Sequence, residues 1–380
     1  MQITVVHPGE LGPAEVDAWR GFQRSQPALA NPFLSPEFTV AVGRLRPCAR
    51  VAVLSEGAGI VGFFPFERGP LGAGAPIAAG LTDCQGLIHA PDADWDPQQL
   101  LRACRLAVWE FDHLVDGQKP FEPYQVCRAA SPIMDLSGGY EAYLAPLRRW
   151  SRIRDLPRRH RRLAREVGEV RFVLDSTDPA ALRTVMAWKS AQYQRTGRTD
   201  RFAQPWIIEL CEQLLAERTE SFSGLLSLLY AGDELVAGHF GLRSPRVIPT
   251  WFPAYDPRFG RHSPGLLLHL SMAEEAAAEG VDHIDMGRGA KEYKELFTSR
   301  ELIVAEGRVM RRVPAAALHW VRRAPARRLR NTVTEHPALF RLADRLLRTY
   351  GHTRNTLSGA LRREPTARPM QRQPVQGRPE

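Results

Sequence analysis

The feature that most constrains this chain is the order in which two hydrophobic periodicities alternate through its second half. VRFVL near 170, then LLSLLY (225–230), ELVAGHFGLR (234–243) and VIPTWFPAY (247–255) read as strands, because β-branched, aromatic and aliphatic residues run together between turn residues. Helical spacing marks 178–195, 205–218 and 264–279, and a short strand (HIDMG), a helix around EYKELF and a last strand (IVAEGRVM) follow. Interleaved elements of this kind must lay helices on the faces of a sheet, which predicts an α/β (α+β) protein with mixed central sheets flanked by helices. At 380 residues the chain also exceeds what one hydrophobic core organises, so a second domain is expected.

That second unit is sought in residues 1–135, where 51–66 (VAVLSEGAGIVGFFPF) reads as two strands around a glycine turn and 96–114 as a helix. Between them the glycine-rich run 69–88 has neither GxGxxG nor Walker spacing, which leaves a substrate-facing or a purely structural loop. Residues 136–168 form a connector with nine arginines between Arg148 and Arg165, interrupted by proline and ended by Gly168. They read as a charged helix whose arginines are either solvated or reach an anionic substrate. A catalytic domain is placed at 169–313, a basic helical extension at 314–350, and an unfolded tail at 351–380.

Charge and cysteine content narrow the functional classes. Residues 311–380 hold sixteen arginines against four acids, a net of +12, so the whole-chain charge of +9 leaves −3 for residues 1–310. The basicity belongs to the tail, and nucleic acid is not the expected partner. Five cysteines (Cys48, Cys84, Cys104, Cys127, Cys211) without a CxxC pair read as buried thiols rather than a disulfide framework or zinc site. His283 and Asp285 lack a third ligand, so no metal is expected. No apolar run reaches the ~18–20 residues of a membrane span, and the N-terminus MQITVVHPGE has no secretory pattern, so a cytoplasmic location is expected.

The sharpest local signal is RHSPGLLLHLSMAEEAAAEG, directly after a strand. Ser263 suits the N-cap, Pro264 the first helical position and Gly280 the stop, while Gly265 leaves room for a ligand. Such a turn can hold phosphate on unpaired N–H groups at the positive end of the helix dipole. The plain alternative is a well-capped amphipathic helix with Leu266, Leu270, Ala273 and Ala277 toward the core. His239 shares a strand face with Ala237 and Gly241, and an imidazole beside small neighbours can take a proton from an amine or hydroxyl. Trp251 and Tyr255 offer a wall for a sugar or acyl chain, and Asp285 and Arg288 bracket a strand end of the kind that lines ligand crevices.

Strand, Ser-Pro-Gly turn, helix, short strand and helix, in this order, resemble the GNAT acyltransferases. These bind the pyrophosphate of acyl-CoA at the turn while the next strand splays away to admit the pantetheine arm. Of the common loop pattern Q/R-x-x-G-x-G/A, the run Gly260–Gly265 keeps only the final glycine. A narrower resemblance is carried by NPFLSPEF, GIVGFFPF, AWKSAQYQRTGRTDRFAQPW, ELVAGHFGLR, WFPAYDPRFGRHSPGLLL and IDMGRGAKEYKELF. Over roughly residues 30–310 the chain looks like the CelD-type acetyltransferases associated with cellulose and exopolysaccharide gene clusters. That family is similar to the Fem proteins, with two GNAT-like domains in tandem, so the resemblance makes residues 1–135 a degenerate first copy.

The resemblance implies acetyl-CoA or another acyl-CoA as co-substrate, held by Arg261, His262, Ser263, Gly265 and Leu266. It also implies His239 as base and Tyr293 as the acid for the departing thiolate, and Asp285 is counted in the catalytic group for its place at the strand end. Trp251, Tyr255, Arg288 and Lys294 would then meet a small-molecule or glycan-linked acceptor. Two other functions fit the same residues: a Fem-like transferase using aminoacyl-tRNA, and a catalytically silent subunit of polysaccharide synthesis machinery.

Overall fold

The computed structural model describes residues 1–289 and 292–319. Strands Val170–Val173, Ser223–Ala231, Glu234–Arg243 and Phe252–Tyr255 form an antiparallel four-stranded sheet, with the last strand on one edge and the first on the other. Helices Pro179–Arg195, Pro205–Ala216 and Pro264–Ala278 each begin on proline, which costs no hydrogen bond at a helix start. Asp178 caps the first of them by accepting from the Ala180 N–H.

A second, ten-stranded sheet joins the two halves of the chain. Its order runs Gln2–Val6, Ala49–Glu56, Gly59–Arg68, Ala73–Pro76, Val108–Val115, Arg300–Met310, Gln125–Asp135, His283–Asp285 and Val247–Pro249, with Ile88–His89 on a side branch. The late strand Arg300–Met310 thus lies antiparallel between two strands of the first 135 residues. The core is shared in the same way: Trp19, Phe33, Phe38 and Phe63 belong to one apolar cluster with Leu182, Leu214, Phe240 and Phe252.

Two expected elements divide. The helix expected over 96–114 stops as Pro97–Ala103, and after Arg105 (φ 54°) the chain continues as strand Val108–Val115. Trp109 and Phe111 both pack into a core cluster of that sheet, and branched and aromatic residues there favour a pleated surface over a helix. The single strand expected over 247–255 splits into Val247–Pro249 in the large sheet and Phe252–Tyr255 in the small one.

The arginine-rich connector is three helical pieces, Tyr140–Leu147, Ser151–Arg154 and Leu156–Glu166. Tyr143, Leu147, Ile153, Leu156 and Leu163 are buried in one cluster with Leu267 and Leu268. Helix Pro264–Ala278 is therefore covered on two flanks. It buries Leu267, Leu268, His269, Met272, Ala273 and Ala276, while Leu266, Leu270 and Ala277 are half-buried. The expected core face is rotated because the connector covers it as well as the sheet.

Cys84, Cys104 and Cys211 are buried, Cys48 is half-buried and Cys127 is exposed, and all five are free thiols. Among the described residues no helix is long and apolar enough to cross a membrane. Of the expected basic extension, residues 314–319 are helical. Residues 320–350 and the expected tail at 351–380 lie outside the described residues.

Candidate active site

A cavity of about 630 Å3 opens where the chain passes from one sheet to the other. Val247–Pro249 pairs with His283–Asp285, whereas Phe252–Tyr255 pairs with Glu234–Arg243. The backbone between them loses its ladder partners, and each buried N–H must find another. Thr250 N donates to the Asp285 carbonyl at 2.7 Å, and Trp251 N donates to His239 Nε2 at 3.1 Å. Thr250, Trp251, Pro253 and Tyr255 line the resulting cleft, as do Ser263, Pro264, Gly265 and Leu266 of the turn.

The turn differs from a conventional cap. Ser263 is left-handed (φ 55°, ψ 49°) and its side chain makes no capping bond. Its carbonyl instead accepts from Leu266 N (2.9 Å) and Leu267 N (3.2 Å). Pro264 has no N–H, so among the described residues only the Gly265 N–H of this turn is left without a partner. A Cβ at Gly265 would meet only Tyr255 Cδ1, at 3.5 Å, so the space over this amide is open. Cationic support arrives from the connector, where Arg159 Nη1 donates to Ser263 Oγ (3.0 Å) and the Arg261 carbonyl (3.1 Å).

Four residues expected in the site do not face the cleft. Arg261 turns to Glu166 (2.8 Å) and donates to His262 Nε2 (3.0 Å), and His262 is buried. Arg261 lines a separate groove of about 690 Å3 with Arg158, Arg159, Arg161, Arg162, Arg165 and Glu166. His239 is fully buried, and the room predicted beside Gly241 is filled by the imidazole itself: a Cβ on Gly241 would lie 2.6 Å from His239 Cε1. Burial, helped by His269 and Lys189, pushes its pKa down to about 3. His239 is thus a neutral acceptor that holds the strand split, not a base open to substrate.

Asp285 is buried too, and accepts from Ser131 Oγ (2.9 Å), Gly287 N (2.8 Å) and Asn31 Nδ2 (3.3 Å). Its carboxylate ties the NPFLSPEF segment to the strand end and is spent on that task.

The remaining expected residues come together. Tyr293 and Lys294 face Trp251 and the turn across the cleft, and Arg288 joins them. Burial raises the Tyr293 pKa to about 12, with Asp83 adding to the shift and Arg198 opposing it, so the phenol holds its proton at neutral pH. Lys294 is buried and donates to the carbonyls of Gly287 (2.6 Å) and Arg288 (3.2 Å). Burial pulls its pKa below the usual lysine value, against the pull of Asp83 and Asp285. Arg288 Nη1 reaches the Asp112 carbonyl (3.0 Å) and Glu306 (3.1 Å). Trp251 donates Nε1 to the Leu81 carbonyl at 3.0 Å and stacks on Phe252, while Tyr255 is exposed.

Sequence reasoning did not single out Asp83, Lys189, Arg198 and His269, all of which line the cleft. Asp83 stands in the glycine-rich run whose substrate-facing reading was open, and Lys189 and Arg198 stand in the AWKSAQYQRTGRTDRF stretch that carried the resemblance. His269 lies on the turn helix with its ring 5.9 Å from that of Tyr293, and burial pushes its pKa down to about 4.

Residues 151–295 match the family model described as an acetyltransferase (GNAT) domain. The matched span opens inside the arginine connector and closes just past Tyr293 and Lys294. The protein is an acyltransferase. Its fold is a GNAT-like mixed α/β fold, similar to that of FemX (TM-score 0.53, 12% identity, 81% of this chain and 96% of that one). It is also similar to L-PGS from Bacillus licheniformis (0.51, 12%, 83% and 97%). A tandem GNAT protein from the clavulanic acid biosynthesis pathway overlaps at 0.47, with 12% identity over 81% of this chain and 98% of that one. No curated protein matches the sequence.

Proposed function

We propose that the protein transfers an acyl group, most simply acetyl, from acyl-CoA to an amine or hydroxyl of a polar acceptor. The observation that carries this reading is the single cleft shared by the Ser263–Gly265 turn and Tyr293. The open Gly265 N–H and the nearby Arg159 suit an anionic carrier at the positive end of a helix. A phenol that keeps its proton suits a donor to the departing thiolate. Trp251, Tyr255, Arg288 and Lys294 supply an apolar wall and cations on the acceptor side. The CelD-type resemblance supports a role in building an exopolysaccharide or cell-envelope glycan. The test is isothermal titration with acetyl-CoA and longer acyl-CoAs; no heat of binding from folded protein removes the reading.

A second reading keeps the cleft and takes aminoacyl-tRNA as donor. The groove of six arginines beside the turn favours it, since neutralised phosphates give binding that weakens steeply with salt. A tRNA affinity that stays flat between low and moderate salt, or no affinity at all, excludes it.

A further inference from the structure

The cleft contains a carboxylate that the fold delivers from the opposite half of the chain and that, among the described residues, has no hydrogen-bond donor. Asp83 lines the cavity from the glycine-rich loop, roughly 200 residues away in sequence from Tyr293. The loop after strand His283–Asp285 backs directly onto it: a Cβ at Gly287, where φ is +71°, would lie 2.7 Å from Asp83 Oδ2. Its immediate neighbour Asp285 accepts three hydrogen bonds, whereas among the described residues Asp83 accepts none and has only an ion-pair contact, 3.6 Å from Oδ1 to His113 Nε2. Beyond it, His113 Nδ1 sits 3.0 Å from Asp112 Oδ1, and Asp112 is half exposed. A series of ionisable groups therefore leads from the cleft to the surface.

We infer that Asp83 is the general base of the transfer, with His113 as a positioning residue that sets its charge. This rests on the acyl-transfer reading above. In the step, the acceptor nitrogen or oxygen bonds to the thioester carbonyl carbon and the carbon–sulfur bond breaks. The acceptor's proton passes to an Asp83 oxygen, and the Tyr293 hydroxyl gives its proton to the leaving sulfur. The cycle closes when Asp83 loses its proton to solvent and the phenolate regains one.

Two neighbouring carboxyl groups in unlike surroundings are a recurring way to separate a reactive carboxylate from a structural one. Here burial pushes the Asp83 pKa up to about 6, with Asp285 and Asp112 adding and His113 and Lys294 opposing. The phenols of Tyr193 and Tyr293 also feel its charge. A carboxylate of that basicity is largely ionised at pH 7 yet far more basic than an exposed one, which is what a base working near neutrality needs. For His113, burial works against the charged ring, but Asp112 and Asp83 outweigh it and its pKa is raised.

The experiment follows CoA thiol release from acetyl-CoA between pH 5 and 9, with water and with glucosamine as acceptor probes, alongside acetyl-CoA titration calorimetry on the same full-length proteins. Wild type should lose turnover as the pH falls through about 6. Asp83→Asn should bind acetyl-CoA within twofold of wild type, lose about 100-fold in turnover, and lose the acid limb. His113→Gln removes a cation from the carboxylate, so its acid limb should move to higher pH, a shift that a merely structural role would not produce. If Asp83→Asn retains wild-type turnover and the same limb, the assignment is overturned. Failure of wild type to bind acetyl-CoA would instead sink the acyl-CoA reading itself. Should neither probe support turnover, 13C-aspartate NMR decides, with the Asp83 signal identified by its loss in Asp83→Asn. Titration near 6 that moves upward in His113→Gln upholds the inference, and titration in the ordinary carboxylate range near 4 overturns it.

Discussion

The two walls of the cleft are built by opposite means. One wall, from Trp251 to His269, is a single run of chain in which a strand, a left-handed serine and a helix follow one another. Its backbone groups are anchored nearby, with Trp251 N on His239 and Leu266 N and Leu267 N on Ser263, and two distant contacts brace it, Trp251 Nε1 on the Leu81 carbonyl and Arg159 on the turn. The facing wall is collected from Asp83, Arg198, Arg288, Tyr293 and Lys294, on a sheet in which strands His283–Asp285 and Arg300–Met310 both pair with strands of the first half. The continuous wall takes its shape from the local backbone. The assembled wall holds Asp83, Tyr293 and Lys294, whose proton affinities are shifted by the tertiary surroundings, and the continuous wall contributes one such group, His269.

This contrast breaks most sharply at Tyr293. Removing one hydroxyl from the assembled wall, as Tyr293→Phe, should lower turnover by ~10²-fold or more and change acetyl-CoA affinity by less than twofold in calorimetry. A large affinity loss with little change in turnover would move Tyr293 to the binding side and erase the division. On the continuous wall, His239→Ala should cost about 2–4 kcal/mol of stability in denaturant unfolding, from a cavity plus a stranded Trp251 N–H. The acid limb of turnover should not move, and if it does, His239 is a base after all.

The same imidazole gives the pH dependence a definite sign. Its folded pKa of about 3 lies below the ordinary histidine value, so the unfolded chain binds the extra proton, and stability is lost as pH falls from about 6.5 toward the folded value. The wild-type slope should exceed that of His239→Gln by about 1.4 kcal/mol per pH unit in this window, read from unfolding midpoints. Asp83, raised in the fold, acts with the opposite sign between about 4 and 6 in both proteins and cancels in the comparison.

How much of this was legible in the sequence follows from the same division. The helix that starts at Pro264 and the short strand were readable, because each is specified by residues within a few positions, whereas the Ser263 cap was not, since that residue is left-handed and its side chain makes no capping bond. Period-two alternation correctly put His239 on the face with Gly241, but not what fills the space, since the ring occupies its own gap. The split of 247–255 between two sheets was hidden because both fragments carry the same apolar pattern, and strand pattern does not say which sheet a strand joins. The strand in 108–115 was hidden behind a helix start at Pro97 that is itself real. Asp83 was the hardest case, because nothing local marks a carboxylate whose neighbours lie near residues 113, 285 and 294.

The smallest expected effect tests whether the continuous wall touches ligand at all, and Gly265 is where structure and function pull in opposite directions. It occupies the first turn of helix Pro264–Ala278 with ordinary backbone angles, as its absence from the positive-φ positions indicates. Alanine fits sterically, since its Cβ would meet only Tyr255 Cδ1 at 3.5 Å. By helix propensity alone Gly265→Ala should stabilise the protein, by up to about 1 kcal/mol. If the carrier's phosphates approach the Gly265 N–H, the added methyl stands in their path and acetyl-CoA affinity should fall by about fivefold, close to 1 kcal/mol. Higher thermal stability with weaker binding would fix Gly265 as a ligand contact. Higher stability with unchanged binding would make the turn a helix start and no more, and the anionic carrier would then have to be held by the arginines alone.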